Sequence, residues 1–382
     1  MKTAEIAGGG IGGLAIATLL ARDGWSVRVH ERSAEIREIG AGIYIKNNSI
    51  EVLEQLGVFD GLIPYGTQLD YAQIQFADGS VKQRRALTGL SRVHVFPRQV
   101  LIEALRDAAL AAGVDVRTRS TVESATPDGG LKLTDGSHYR ADLIVAADDG
   151  VSSAVRGSLP MRSGFRLLPT IIDRFLIESR EFTREPRTVE HWSGNRRIGV
   201  TPSGPQHTYV YMVAPQADTA ACKLPLDVAD WSARFPLLAP LFQVLAQAES
   251  TQYNYGVVDC EKWSMGRVAI LGDAAHGLPP TLGQGAGLTL INAYALAHFL
   301  RHSNSIESAL REWETRVRFI SDRTQSWSCR YDWFTRQWPT QLDFARPLVA
   351  WSFGRLRFLN DRMRVADRGL RLAGISLDEA HA

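Results

Sequence analysis

Cysteine is scarce in this chain: Cys222, Cys260 and Cys329 are the only three among 382 residues, and they lie far apart. They offer no metal-ligand spacing and no even set for disulfides, so no metal is expected and a reducing compartment fits best. Charge of one sign is also missing. The 43 Lys and Arg residues nearly balance 41 Asp and Glu, which leaves a formal +2 and no dense basic run. Neither nucleic acid nor an anionic membrane is therefore expected as the main partner. Long apolar runs are lacking as well. Residues 6–21 carry no charge, yet glycines interrupt them and 16 positions are too few for a comfortable bilayer span. No charged leader with a cleavage site precedes the first strand-like stretch, so the expected location is cytoplasmic. Internal repeats and low-complexity segments are absent. What remains is ordinary globular composition, 45% hydrophobic and 22% charged, at a length that suggests two or three lobes.

The apolar pattern begins with a βαβ unit. Ala4–Ala7 reads as a short buried strand, Gly8–Gly13 as a tight turn, Leu14–Asp23 as a helix and Val27–Glu31 as the next strand. Such a unit sets parallel strands side by side with a right-handed crossover. Helical spacing returns over Ile50–Leu56 and Arg98–Ala112, closed by Gly57 and Gly113, and Val114–Arg117 follows as a strand. Alternation on either side of Asp78-Gly79, and again of Asp135-Gly136, predicts two hairpins. Leu143–Ala147 and Val268–Leu271 read as buried strands. Between about 165 and 255 the runs Ile171–Ile177, Arg197–Thr201 and Tyr209–Val213 are separated by Pro and Gly turns, which predicts a mostly antiparallel sheet. From Ser305 onward the pattern is mainly helical.

The first turn contains Gly8-x-Gly10-x-x-Gly13. Gly8 permits the tight turn, Gly10 lets backbone amides approach a pyrophosphate, and Gly13 lets helix and strand pack closely. The helix N-terminus then offers its positive end to the phosphates. Glu31 stands eighteen residues after Gly13, at the end of the second strand, where a carboxylate can accept from ribose hydroxyls. Turn, helix, strand and acid in that order predict a bound dinucleotide. A second glycine signature lies far downstream: Leu271-Gly272-Asp273-Ala274-Ala275-His276, then Pro279-Pro280 and Gly283-Gln284-Gly285-Ala286-Gly287. Its glycines would bring backbone amides against a flat ring where side chains would collide. His276 reads either as a base or as a structural histidine beside the turn, and no residue is assigned as acid or base.

With 260 residues between Gly13 and Asp273, the pair of signatures resembles the FAD-binding pattern of the single-component flavoprotein aromatic hydroxylases. Ala147-Asp148-Asp149-Gly150, with Ser153 and Arg156, resembles the middle motif of that family, and Asp148 replaces a residue that is usually small. The resemblance implies an α/β fold. A Rossmann-like FAD-binding lobe with a parallel sheet is expected from residues 1–70, 93–165 and 255–320. An inserted, mostly antiparallel-sheet substrate lobe is expected from 71–92 and 166–254, and a helical C-terminal region from 321–382. It places Gly8, Gly10, Ile11, Gly12, Gly13, Glu31, Arg32, Ala41, Arg98, Asp149, Asp273, Pro280, Gly283, Gly285 and Ala286 around FAD. It also implies NADH or NADPH as electron donor, O2 as co-substrate, and transfer of one oxygen to an aromatic ring through a C4a-hydroperoxyflavin.

Within that family the chain is most similar to the oxygenases of hydroxypyridine carboxylates, over most of residues 4–335. The similarity is carried by Gly24-Trp25-x-Val27-Arg28, Gly40-Ala41-Gly42-Ile43-Tyr44 and Trp313-Glu314-Thr315-Arg316, and by two shared departures, Gly287 and Ile291-Asn292-Ala293. It implies a substrate site of Arg174, Arg197, Tyr209, Tyr71 and Tyr44, with Tyr71 entering only after a one-residue shift. Arginines suit a ring carboxylate and tyrosines a phenolic or pyridinol oxygen. Three readings stay open at this point. They are oxygenation of a hydroxylated N-heteroaromatic carboxylate, with or without ring opening; hydroxylation of a carbocyclic phenol; and an FAD-binding protein without turnover, for which Asp148 is the one hint.

Overall fold

A computed structural model describes residues 1–37, 41–345, 348–349, 352 and 361–377. Gly40 and part of the expected helical tail lie outside the described residues. The first strand, Thr3–Ala7, is the hinge of a six-stranded sheet because its residues Ala4, Ile6 and Ala7 are buried on both faces. Helices cover such a sheet on two sides, so its strands read as unbroken apolar runs. Its order runs Ser264–Met265, Val268–Ile270, Leu143–Ala146, Thr3–Ala7, Ser26–His30, Asp115–Arg117. All neighbours are parallel except the Ser264–Met265 edge. Helix Ile11–Arg22 packs from one side against Gly285–His302 and Arg98–Ala111. Its neighbours allow it to be apolar almost all round, with residues 11–20 buried.

A seven-stranded sheet makes the second layer. Its order is Ser250–Cys260, Ser163–Ile177, His207–Pro215, Arg196–Ser203, Arg187–Ser193, Tyr71–Phe76, Val81–Ala86. Every pair is antiparallel but one: Arg187–Ser193 runs parallel to Tyr71–Phe76. Both expected hairpins form, Tyr71–Phe76 with Val81–Ala86 and Gly130–Leu133 with His138–Arg140. One face of the seven-stranded sheet is apolar. Phe175, Ile177, Ile198, Val200, Val210 and Met212 pack there beneath helices Val228–Arg234 and Ala239–Leu245, which contribute Trp231, Leu241, Phe242 and Leu245. The other face points toward the nucleotide-type sheet.

The helical reading after Ser305 begins with a 31-residue helix, Ile306–Arg336, and short helical segments follow at Thr340–Ala345, Val365–Arg368 and Gly369–Leu372. At 1.5 Å per residue the long helix is about 46 Å long, enough to touch both layers. Near its start Trp313 Nε1 donates to the Asn292 carbonyl at 3.0 Å, and Glu314 accepts from Trp263 N–H at 2.9 Å and Ser264 Oγ at 2.8 Å. Near its end Asp332 accepts from Thr170 Oγ1 at 2.8 Å on the seven-stranded sheet. The Trp313-Glu314 motif is thus a fastening for the layers. No helix among the described residues is long and apolar enough to cross a membrane.

Candidate active site

The nucleotide end is assembled by backbone. Gly8 has φ +100, and a Cβ there would overlap the Ala147 carbonyl oxygen. A Cβ at Gly13 would overlap the Gly8 carbonyl oxygen, while one at Gly10 would meet nothing within 4 Å. Gly8 and Gly13 are therefore required by the fold itself, whereas Gly10 faces open space at the start of helix Ile11–Arg22. That space is the cradle a pyrophosphate requires. Gly12 packs on Thr289 and Leu271, which brings the downstream motif against the first turn. Glu31 accepts from Gly9 N–H at 2.8 Å and from Ser33 N–H at 2.8 Å. Arg32 is exposed and stands 3.7 Å from Asp149.

The middle motif closes the same corner. Asp149 accepts from Val151 N–H at 2.9 Å and Ser152 Oγ at 3.1 Å, which makes it the organiser of its own turn. Arg156 is buried and donates to the carbonyls of Ala274 at 2.7 Å and Gly150 at 2.8 Å. A Cβ at Gly150 would come within 3.0 Å of the Asp273 carbonyl oxygen. The middle motif and the downstream signature, 123 residues apart in the chain, are thus in direct contact. Asp148, the departure, turns inward and accepts from Ala154 N–H at 3.0 Å, and burial raises its carboxyl above the usual range. The N-cap of the short helix Ala154–Ser158 is Ser153, which accepts from Arg156 N–H at 3.1 Å, and Asp148 adds a bond to the helix's first N–H.

A second corner lies around the downstream turn. Gly283 is left-handed at φ +57 and sits against Tyr44 and Lys46, while Pro280 is exposed and Gly285-Ala286 open helix Gly285–His302. Lys46 Nζ donates to the Leu282 carbonyl at 2.6 Å, and burial pulls this ammonium down to about 8. Gln284 donates to Asp367 at 2.7 Å. Ala41 takes φ +76, a strained conformation for a non-glycine residue, and its carbonyl accepts from Arg98 N–H at 3.1 Å. His276 is buried, bonded to Asn292 Nδ2 at 2.7 Å and lowered by burial to about 4, so it is a neutral structural group. Asn292, one of the shared departures, exists here as its partner.

Strand Gly42–Lys46 carries the turn to the aromatic face of the seven-stranded sheet. Tyr44 bonds to Thr188 at 3.0 Å and Thr201 at 2.5 Å, and burial raises its phenol to about 12. Tyr209 lies edge-on to Tyr44 at 6.2 Å, and Gly42 leaves room for its ring. Alternation puts Arg174, Thr188, Glu190, Arg197, Thr201, Tyr209 and Tyr211 on this one face, because their strands pair in register. Arg174 lies over the Tyr253 ring at 4.6 Å. Arg197 is 2% exposed; burial is the largest influence and would lower it, but Glu190 together with Tyr255, Tyr331 and Tyr211 outweighs burial and holds it above its ordinary value.

Of the five residues expected at the substrate site, the structure brings Arg174, Arg197, Tyr209 and Tyr44 together but not Tyr71. Tyr71 pairs in register with Arg187, one residue out of step with Thr188, and so projects from the opposite face. Its hydroxyl donates to Glu185 at 2.6 Å and accepts from Arg187 at 3.1 Å, with Arg84 over the ring. The required one-residue shift is the physical reason, since a shift of one reverses the face. Sequence reasoning missed Glu190 and Tyr211. The i, i+2 spacing of Tyr209 and Tyr211 was the available signal for the second. Glu190 had none, because its strand was not recognised.

The FAD binding domain family matches residues 1–308. The 2-heptyl-3-hydroxy-4(1H)-quinolone synthase of Mycobacteroides abscessus is 38% identical over 86% of this chain and 89% of its own length. The 6-hydroxynicotinate 3-monooxygenase of Pseudomonas fluorescens is 26% identical over 80% of this chain and 86% of its own. Among solved structures, the tetrameric form of 2-methyl-3-hydroxypyridine-5-carboxylic acid oxygenase superposes with TM-score 0.85 and 31% identity, covering 96% of each chain.

Proposed function

The chain belongs to the FAD binding domain family and is an FAD-dependent aromatic monooxygenase, and from that premise we propose that it oxygenates an N-heteroaromatic ring beside a ring hydroxyl or oxo group. The observation that carries this reading is a direct connection between the two corners. Tyr44 and Lys46 of strand Gly42–Lys46 lie against Gly283, and the same Tyr44 bonds to Thr201 and meets the Tyr209 ring on the buried tyrosine–arginine face. A planar substrate seated on that face lies next to whatever ring the turn holds. The names of the similar proteins, a quinolone synthase, a hydroxynicotinate monooxygenase and a hydroxypyridine carboxylate oxygenase, support a nitrogen-containing ring.

In this reading Gly8, Gly10, Ile11, Gly12 and Gly13 surround the pyrophosphate, and Glu31 and Arg32 meet the adenosine half. Arg98, Asp149 and Asp273 line the path between the halves of FAD. Ala41, Pro280, Gly283, Gly285 and Ala286 would frame the flavin ring, and backbone amides of the turn would stabilise negative charge on it. When bound, FAD supplies the electron transfer and the activated oxygen. The protein positions the substrate ring, holds its oxygen through Tyr209 and Arg174, and keeps water from the reacting atoms. The balance is one ring C–H replaced by C–OH. The second O2 atom leaves as water, with two electrons from NADH or NADPH.

The test is substrate-stimulated NADH or NADPH oxidation by the FAD-loaded protein, followed across 4-quinolones, hydroxypyridines and hydroxybenzoates. Stimulation by the nitrogen heterocycles supports the proposal. Stimulation by hydroxybenzoates alone would replace it with a carbocyclic phenol hydroxylase. Product mass then separates oxygenation from oxygenation followed by ring opening.

A further inference from the structure

The polar groups on the aromatic face fall into two sets. One is closed on itself. Glu190, with its side chain 16% exposed, accepts from Tyr211 at 2.5 Å, from Trp192 Nε1 at 2.5 Å, and from Arg197 and Tyr331 at 3.4 Å each. Arg197 therefore brings a cation whose charge is already matched inside the protein. The other set is open. The hydroxyls of Tyr209 and Tyr255 have no hydrogen-bond partner among the described residues, although the two side chains are 6% and 2% exposed. Arg174 Nε is likewise buried without an acceptor, and no carboxylate among the described residues pairs with this guanidinium. Buried polar groups left open in this way are positions for a ligand to fill.

Building on the proposed oxygenation, we propose that Glu190 is a specificity-determining residue that sets this site for an uncharged ring with one ring oxygen and against a ring carrying a carboxylate. A carboxylate directed at Arg197 would have to displace Glu190 or lie beside its negative charge, away from bulk water. A ring oxygen instead finds Arg174 and Tyr209. Arg174 is the cation on this face with no counter-charge among the described residues, so it stabilises negative charge on that oxygen. Charge there enriches the adjacent ring carbon, the one that takes up oxygen. The expectation that both arginines grip a substrate carboxylate is thereby narrowed to one arginine and a ring oxygen.

The experiment measures binding and turnover separately in the FAD-loaded protein. Its two probes are 2-heptyl-4(1H)-quinolone and 2-methyl-3-hydroxypyridine-5-carboxylate. Binding is read from the perturbation of the flavin absorption spectrum, and turnover from product mass. The wild-type protein is expected to bind the quinolone at least about tenfold more tightly, and Glu190→Gln to shrink that ratio at least about tenfold by gaining affinity for the carboxylate. Tighter wild-type binding of the carboxylate overturns the inference while leaving an oxygenase in place. So does an unchanged ratio in a folded Glu190→Gln protein. The wild-type ratio alone decides the matter if the variant does not fold. Quinolone preference without any oxygenated product supports the specificity assignment and overturns the proposed reaction instead.

Discussion

The two ends of the site are built on different principles. At the nucleotide end, the decisive contacts are between backbone atoms: Gly8 against Ala147, Gly13 against Gly8, Gly150 against Asp273. Charged side chains there mostly serve the chain itself, as Asp149 and Arg156 do. On the aromatic face the backbone is regular strand, and every distinguishing feature is a side chain whose position depends on pairing register. The first end needs particular residues wherever the fold occurs. The second can be rewritten one strand position at a time, which suits a surface that selects substrates.

The largest expected effect comes from the backbone end. Gly13→Val places a side chain where the Gly8 carbonyl already is, and no folded, FAD-containing protein should be recovered. Gly10→Ala enters open space, so its melting temperature without FAD should stay within about 2 °C of wild type. Its FAD affinity, measured by flavin fluorescence, should fall, because the methyl group occupies the cradle. Equal effects of the two substitutions would break the distinction between a fold glycine and a cofactor glycine.

Next in size is the charged pair. Arg197→Met leaves Glu190 buried beside no cation and should cost about 3–5 kcal/mol of stability by denaturant unfolding. Adding Glu190→Gln should recover most of that loss. If the double variant is as unstable as the single one, the pair is not the unit described. Smaller again is the contrast between tyrosines. Tyr209→Phe should lower kcat/KM by about tenfold, the worth of one substrate hydrogen bond, whereas Tyr71→Phe should leave it within about twofold. A larger loss for Tyr71→Phe would return that residue to the substrate face.

A separate effect is a pH dependence at the joint between the ends. Lys46 has its ammonium lowered from 10.5 to about 8 by burial. Between those values the unfolded chain binds a proton that the folded one does not, so the contribution of this group to stability rises with pH across that window. Below about 8 both states are charged and above 10.5 both are neutral, so it is flat outside. Relative to Lys46→Met, wild type should gain about 2 kcal/mol between pH 7.5 and 9.5. A loss over that range would contradict the buried, charge-depressed placement.

The same division explains what the amino-acid sequence made legible. Gly8-x-Gly10-x-x-Gly13 and the Asp78-Gly79 and Asp135-Gly136 turns were readable because local backbone geometry demands those residue types. Asp148 could be noticed as a departure, but its turning inward to Ala154 depends on burial that local sequence does not state. Arg187–Ser193 escaped notice because its parallel pairing with Tyr71–Phe76 joins segments over a hundred residues apart. With that strand went Glu190. The face of Tyr71 turned on a single step of register, which an alternating pattern records but cannot anchor. The 31-residue helix was visible only as a helical tendency, since its span is set by the two layers it fastens.

The most direct test of the whole account is oxygen bookkeeping in labelled O2 with FAD-loaded protein, NADH or NADPH and a 4-quinolone. The account predicts one labelled oxygen in the product for each nicotinamide oxidised, with the mass of simple ring hydroxylation. An unlabelled product, or hydrogen peroxide formed in proportion to all the nicotinamide consumed, would contradict it.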